Sequence, residues 1–177
     1  MIQFIRSPRF LVLSILVIFA ALTRALPLFI PHIWNFTAVG ALAIFSGAQF
    51  DDKRIAFILP LAAMAISDLF LGNGFSMLVY LAFTVIVFCG FLIRNRISIS
   101  NVVLSSVGGA LAFYLITNFA FFYSPALYPH NLQGVLASYI AALPFLNNMV
   151  AGNLVFSGVL FGSFYLLSKR YPVLIHQ

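Results

Sequence analysis

The chain has 177 residues, of which 63% are hydrophobic and only 7% are charged, with a formal net charge of +6 at pH 7. A soluble domain carries about 25% charged residues, so a soluble fold is excluded. The basic residues lie at segment ends, which is typical of membrane orientation signals rather than of nucleic-acid binding. The apolar stretches are continuous rather than alternating, which predicts membrane-crossing helices. The single cysteine, Cys89, excludes an internal disulfide.

Six apolar segments are predicted to cross the membrane within one all-α bundle that covers residues 1–177. They are residues 10–26, 35–50, 55–71, 75–93, 102–122 and 149–167. The first is predicted to be an uncleaved span rather than a signal peptide, because Arg24 falls in the window where cleavage would occur. The second is short for a hydrocarbon core of about 30 Å at about 1.5 Å per residue. We therefore expect it to begin nearer Ile33 or to lie enclosed by its neighbours.

Residues 132–146 predict a separate amphipathic helix in or near the outer membrane interface. Its apolar side chains recur at helical spacing on one face, and small or polar residues fill the other. The apolar face consists of Leu132, Val135, Leu136, Tyr139, Ile140 and Leu143. Pro144 and the pair Asn147 and Asn148 are expected to interrupt the helix before the last span begins.

The positions of the basic residues predict the topology. With six spans, only Arg24 lies on one side of the membrane, and the other basic residues lie on the opposite side. These are Arg6, Arg9, Lys53, Arg54, Arg94, Arg96, Lys169 and Arg170. A seventh span over residues 132–146 would break this pattern. The positive-inside rule therefore predicts a multi-pass protein with both termini in the cytoplasm.

Two charged residues, Arg24 and Asp68, lie inside apolar segments, each about one turn from the outer end of its segment. A charge at membrane depth is costly unless it is paired or faces water. Three interpretations stay open: an ion pair between the first and third spans, a ligand site, or separate contact with the interface. As a ligand contact, the planar guanidinium of Arg24 would favour a carboxylate or a phosphate.

Asparagines lie near the same predicted outer ends, at Asn35, Asn118 and Asn153. Amides in a bilayer either join helices or line a polar cavity. Under the second interpretation, one outward pocket is lined by four polar residues and covered by the end of the 132–146 helix. The four lining residues of this predicted pocket are Arg24, Asn35, Asp68 and Asn118, and Asn148 belongs to the cover.

Small residues four positions apart predict close helix contacts at two places. The pairs are Ala21 with Ala25 on the first span and Gly158 with Gly162 on the last. This spacing allows two helix backbones to approach closely, either inside the bundle or against another membrane subunit. Both interpretations stay open.

The sequence predicts no catalytic residue, no metal site and no cofactor. His32, His130 and His176 are far apart and lie outside the predicted spans, so they are not expected to bind a metal together. Asp68 is the only acidic residue within a predicted span, which does not provide the paired groups that hydrolysis needs. We therefore predict a protein that is not an enzyme.

Two stretches resemble known membrane proteins. One runs from Arg24 to Ala48 and continues with Pro60 and Ser67-Asp68, and the other combines residues 141–145 with residues 152–162. They resemble a family of small uncharacterised bacterial membrane proteins and, beyond it, the six-helix S components of energy-coupling-factor vitamin transporters. The resemblance implies a bacterial inner membrane, a vitamin-like solute bound from outside, and a coupling subunit with ATPases as partners. It also implies that Ala21 and Ala25 contact the coupling subunit.

The functional prediction is a substrate-binding membrane protein for a small organic solute, anionic if Arg24 binds it. The chain has no nucleotide-binding motif, so an ATP-driven step would need partner subunits. The alternative is a structural or assembly subunit of a membrane complex without a transported ligand. In that case the polar residues join helices and the small-residue faces bind partners.

Overall fold

A computed structural model describes residues 11–171 except residues 13, 16, 17, 20, 21, 31, 32 and 73. These residues form an all-helical structure, and none of them is in a β-strand. The five long helices are α1 (Val39–Gln49), α2 (Lys53–Leu71), α3 (Met77–Ile93), α4 (Ile99–Thr117) and α5 (Leu132–Arg170). Before α1, Thr23–Ala25 forms a 3-10 turn and Leu26–Phe29 forms one helical turn. A second 3-10 turn, Ala120–Phe122, follows α4.

Three of these helices, α2, α4 and α5, are long and apolar enough to cross a membrane. The described helices α1 and α3 are also apolar but have only 11 and 17 residues. The first predicted span falls partly on residues outside the described part of the chain, and its described residues before Thr23 are helical. Six spans were predicted. The structure supports the coarser prediction of a helical protein able to cross a membrane, because three of its described helices have the length and hydropathy of a span.

Helix α1 forms the centre of the bundle. Ten of its eleven residues are buried, and it packs against all four other long helices. At about 1.5 Å per residue it is about 17 Å long, roughly half of a hydrocarbon core. The other helices therefore enclose it, which is one of the two arrangements expected for so short a segment.

Glycines allow α1 to lie unusually close to α3. A methyl group built on Gly47 would overlap the carbonyl oxygen of Val87, and one on Gly90 would overlap that of Ile44. The obstructing atoms are backbone atoms, which cannot rotate away as a flexible side chain could. Packing between helices in lipid depends on such close approach, because lipid tails are as apolar as the helix surfaces.

Asn153 on α5 joins the centre of the bundle to α4. Its side chain is fully buried, and its Nδ2 donates a hydrogen bond to the carbonyl oxygen of Ser106 over 3.0 Å. The hydroxyl groups of Ser106 and Ser157 lie 3.0 Å apart and form a second α4–α5 hydrogen bond. The sequence left two interpretations open for the membrane amides. For Asn153 the structure supports the first, in which the amide joins helices.

Helix α5 corrects the predicted break at residues 144–148. It is one helix of 39 residues with Pro144 inside it, so residues 132–146 are not a separate surface helix. A proline removes one backbone hydrogen bond, and a helix can continue past it with a bend when neighbours hold both halves. Here the Tyr114 hydroxyl donates to the Tyr139 carbonyl oxygen, 2.7 Å away, and the Tyr139 hydroxyl donates to the Leu115 carbonyl oxygen, 2.9 Å away. These bonds attach the first half of α5 to α4.

Alanine at Gly47 tests the close contact between α1 and α3. The added methyl group can be accommodated only if the two backbones separate, so we expect Gly47→Ala to lower the free energy of unfolding by about 1–3 kcal/mol. Denaturant titration in detergent micelles measures this change. Gly108→Ala is the matched control, because nothing lies within 4 Å of a methyl group at Gly108 in mid-α4. Equal destabilisation by both substitutions would contradict the close contact.

Candidate functional site

The bundle has one basic end. Arg94 Nη2 lies 4.0 Å from Asp51 Oδ1, which brings together the α1–α2 and α3–α4 connections. Ser98 and Tyr165 border one groove, which adds the C-terminal part of α5. The basic residues at this end are Lys53, Arg54, Arg94, Arg96, Lys169 and Arg170. Among the described lysines and arginines, only Arg24 lies at the opposite end.

Arg24 lies in the Thr23–Ala25 turn, and its guanidinium binds α2. Nη2 of Arg24 is 2.5 Å from Oδ1 of Asp68, and the two side chains are only 16% and 12% exposed. Nη1 donates to the Ser67 hydroxyl over 2.7 Å and to the Met64 carbonyl oxygen over 3.1 Å. Charge-assisted hydrogen bonds such as these are stronger than neutral ones. Of the three interpretations left open by the sequence, the ion pair is therefore the one observed.

Tyr80 on α3 completes the cluster around Asp68. Its hydroxyl donates to Asp68 Oδ2 over 2.9 Å, while the other carboxylate oxygen binds Arg24. The helices α2 and α3 are joined by a short connection, which brings Asp68 and Tyr80 together. The three side chains thus connect the N-terminal segment, α2 and α3 at one point.

The backbone of residues 33–38 forms the next wall of the site. The Ala38 amide donates to Thr23 Oγ1 over 2.8 Å, and Asn148 Nδ2 on α5 donates to the Trp34 carbonyl oxygen over 3.0 Å. Asn35 has a φ angle of 65°, a left-handed conformation that asparagine tolerates better than most residues. The predicted span began at residue 35. This turn explains why α1 begins only at Val39.

A cleft of about 330 Å³ opens between these elements. Its polar lining combines the ion pair with three hydroxyl side chains and Asn35, and its apolar lining includes Trp34. The complete lining is Arg24, Leu28, Trp34, Asn35, Thr37, Val39, Asp68, Leu71, Gly74, Ser76, Val79, Tyr80, Phe83 and Phe113. Three of the predicted pocket residues, Arg24, Asn35 and Asp68, therefore do meet in one cavity.

The charged groups of the cleft compensate each other. Arg24 contributes one positive charge and Asp68 one negative charge, so the pair has no net charge. Because the two groups are only 2.5 Å apart, the charges cancel within the cleft itself. The guanidinium already donates to three protein oxygens. The free planar fork that would favour a carboxylate or phosphate ligand is thus largely occupied by the protein itself.

Asn118 does not belong to this cleft. The sequence placed it inside a span, but α4 ends at Thr117 and Asn118 follows as its C-terminal cap. Its Nδ2 donates to the Tyr114 carbonyl oxygen over 2.9 Å and to Thr117 Oγ1 over 3.1 Å. It borders a different, smaller cavity of about 220 Å³ with Tyr123 and Ser138. Burial raises the pKa of Tyr123, with a further contribution from neighbouring Tyr128.

Asn148 also lies outside the cleft lining. Its hydrogen bond to the Trp34 carbonyl oxygen instead attaches the lining residue Trp34 to α5. Ala25 borders an apolar depression with Leu22 and Ala63, while Ala21 lies outside the described residues. Gly158 and Gly162 do not form a close contact within the described bundle, because a methyl group on either would meet nothing within 4 Å.

Sequence reasoning missed Tyr80, Ser67, Thr37 and Ser76. Tyr80 had a readable signal, since it lies 12 residues after Asp68 and the Gly72–Gly74 turn between them predicts two antiparallel neighbouring helices. Ser67 directly precedes Asp68 and could have been recognised as a second acceptor for Arg24. The contributions of Thr37 and Ser76 depend on the conformation of their loops, which no periodic pattern encodes.

No group of three or more His, Cys, Asp or Glu side chains in the described residues could hold a metal ion. The fold and the cleft thus define an all-helical protein with helices able to cross a membrane and a small, charge-compensated cavity at the end opposite its basic end.

The chain belongs to a family of unknown function, DUF6580, whose sequence pattern it matches over residues 4–174. No curated protein and no solved structure matches it.

Removal of either member of the Arg24–Asp68 pair leaves an uncompensated charge that is mostly buried. We expect Arg24→Ala and Asp68→Ala each to lower the free energy of unfolding by about 3 kcal/mol. The double substitution should lower it by clearly less than the sum of the two, because no lone charge remains. Unfolding of all three variants in micelles measures the coupling. Strictly additive losses would contradict a direct pair.

Proposed function

We propose that the chain is a multi-pass membrane protein that binds a small organic solute in the cleft between Arg24, Trp34, Asp68 and Tyr80. The observation that carries this proposal is the cleft itself, in which a paired charge, free polar surface and an aromatic ring border one cavity. Ligand sites are typically concave, largely apolar, and supplied with a few oriented polar groups. The cleft has this composition.

The chemistry of the cleft favours an uncharged or zwitterionic solute. A net charge on the ligand would find no compensating charge, because Arg24 and Asp68 neutralise each other. A polar ligand would instead meet the side chains of Asn35, Thr37 and Ser76. We therefore no longer expect the cleft to prefer an anionic solute, which Arg24 considered alone had suggested.

The size of the cleft favours a small molecule. Its volume of about 330 Å³ lies near the lower limit of about 300 Å³ for ligand pockets. Trp34 is 57% exposed and lines the cleft, so its indole would be available to a flat or apolar part of the solute. A compact vitamin-like molecule fits these requirements, in keeping with the resemblance to S components.

The positive-inside rule gives the proposed orientation. The basic end would face the cytoplasm, and the cleft would open toward the outer face of a bacterial inner membrane. The solute would then be captured from outside. Transport driven by ATP would require a coupling subunit and ATPases as partners, as the resemblance implies.

Tryptophan fluorescence tests the proposal directly, because Trp34 is the only tryptophan of the chain. Purified protein in micelles is titrated with a panel of uncharged, zwitterionic and anionic vitamins. We expect a saturable change in Trp34 emission with at least one uncharged or zwitterionic compound. A phenylalanine in place of Ser76 would fill the cleft, and we expect Ser76→Phe to abolish the response.

Ser100→Phe is the matched control. Ser100 is exposed near the start of α4 at the basic end, so this variant should respond like the natural chain. A response that persists in Ser76→Phe would place the ligand elsewhere. No response to any compound, together with unchanged uptake in cells that lack the protein, would favour the structural or assembly role instead.

A further inference from the structure

A second cavity of the molecule lies at the basic end, between the first half of α4 and the second half of α5. This α4–α5 groove has a volume of about 550 Å³ and mainly apolar walls. Its lining consists of Ile97, Ser98, Ile99, Val102, Val103, Ser106, Leu154, Ser157, Gly158, Phe161, Gly162 and Tyr165. Ser106 and Ser157 hydrogen-bond each other within it. It shares no residue with the solute cleft.

The α4–α5 groove is open along the side of the bundle. A methyl group on Gly158 or Gly162 would meet nothing within 4 Å, so neither glycine is covered by the described chain. Leu154 and Val103 are 36% and 43% exposed. In a membrane this side of the bundle meets lipid tails, which are the chemical match for an apolar groove.

Basic residues adjoin the groove at the start of α4 and at the end of α5. Lys169 Nζ lies 4.6 Å from the ring centre of Tyr165, which lines the groove. Arg170 is the next residue, and Arg96 directly precedes the lining residue Ile97. Tyr165 is 58% exposed, as expected for an aromatic residue at the depth of lipid headgroups.

No carboxylate compensates these three basic residues within the described chain. The acidic residues of the sequence are Asp51, Asp52 and Asp68, and none of them lines the groove. The described ion pairs use Arg24 and Arg94 instead. Within the described part of the chain, the apolar groove therefore ends beside basic residues that have no carboxylate partner.

We propose that the α4–α5 groove binds an anionic phospholipid. One acyl chain lies along the apolar walls beside Gly158 and Gly162, and the phosphate group contacts Lys169, Arg170 and Arg96. Basic pockets between membrane helices bind anionic headgroups in this way. Charge complementarity separates this ligand from a zwitterionic lipid, whose headgroup carries no net charge to match these basic residues.

Native mass spectrometry with lipid titration tests the proposal on the full chain in detergent micelles. The two probes are phosphatidylglycerol and phosphatidylcholine with identical acyl chains. We expect the natural chain to retain phosphatidylglycerol preferentially. Lys169→Gln combined with Arg170→Gln should weaken phosphatidylglycerol binding about 30-fold, since each basic residue near the headgroup contributes about fivefold. The same double variant should leave phosphatidylcholine binding unchanged.

Lys53→Gln combined with Arg54→Gln is the matched charge control. These residues lie at the same end but on α2, which contributes no residue to the groove, and their variant should bind phosphatidylglycerol like the natural chain. Gly158→Leu should also reduce binding by filling the groove, whereas Gly108→Leu should not. All four variants are compared at equal helix content, measured by circular dichroism.

Three results would overturn the proposal. Equal retention of the two lipids by the natural chain would remove the charge preference. An equal loss in both charge variants would indicate a diffuse electrostatic effect instead of a site. A dimer that Gly158→Leu converts to a monomer, without a change in lipid binding, would assign the groove to a second copy of the chain.

Discussion

The ion pair between Arg24 and Asp68 is the interaction on which the proposed site depends. Two charges in a mainly apolar protein are tolerable only when each compensates the other. Their contact fixes the turn of the N-terminal segment against α2, and Tyr80 extends the same contact to α3. The cleft exists because three separate parts of the chain meet at this point.

The pair also determines the chemistry that the cleft can offer. Arg24 donates hydrogen bonds to Asp68, Ser67 and the Met64 carbonyl oxygen. Its charge is therefore compensated within the protein, and few of its donors remain for a ligand. The polar groups that remain are neutral, and Trp34 is the most exposed of the aromatic residues that line the cleft. The structural interpretation of the pair and the binding interpretation of the cleft are therefore compatible, although the sequence presented them as alternatives.

How much could be predicted varied with the physical range of each signal. Hydrophobic composition predicted an all-helical chain with helices able to cross a membrane, and the rarity of charge in the spans singled out Arg24 and Asp68. The predicted break at Pro144 was wrong because α4 holds both halves of α5: Tyr114 and Tyr139 attach the first half, and Asn153 and Ser157 attach the second. Asn118 was misplaced because the end of α4 depends on local capping, which hydropathy does not report.

Small molecules released from the purified protein provide the most direct measurement. The natural chain and Ser76→Phe are isolated from the same cells in parallel, denatured in organic solvent, and their extracts are compared by untargeted mass spectrometry. A cleft that binds a solute should give one uncharged or zwitterionic small molecule that is enriched with the natural chain and absent with Ser76→Phe. Identical extracts from the two proteins would contradict the solute-binding role of the cleft.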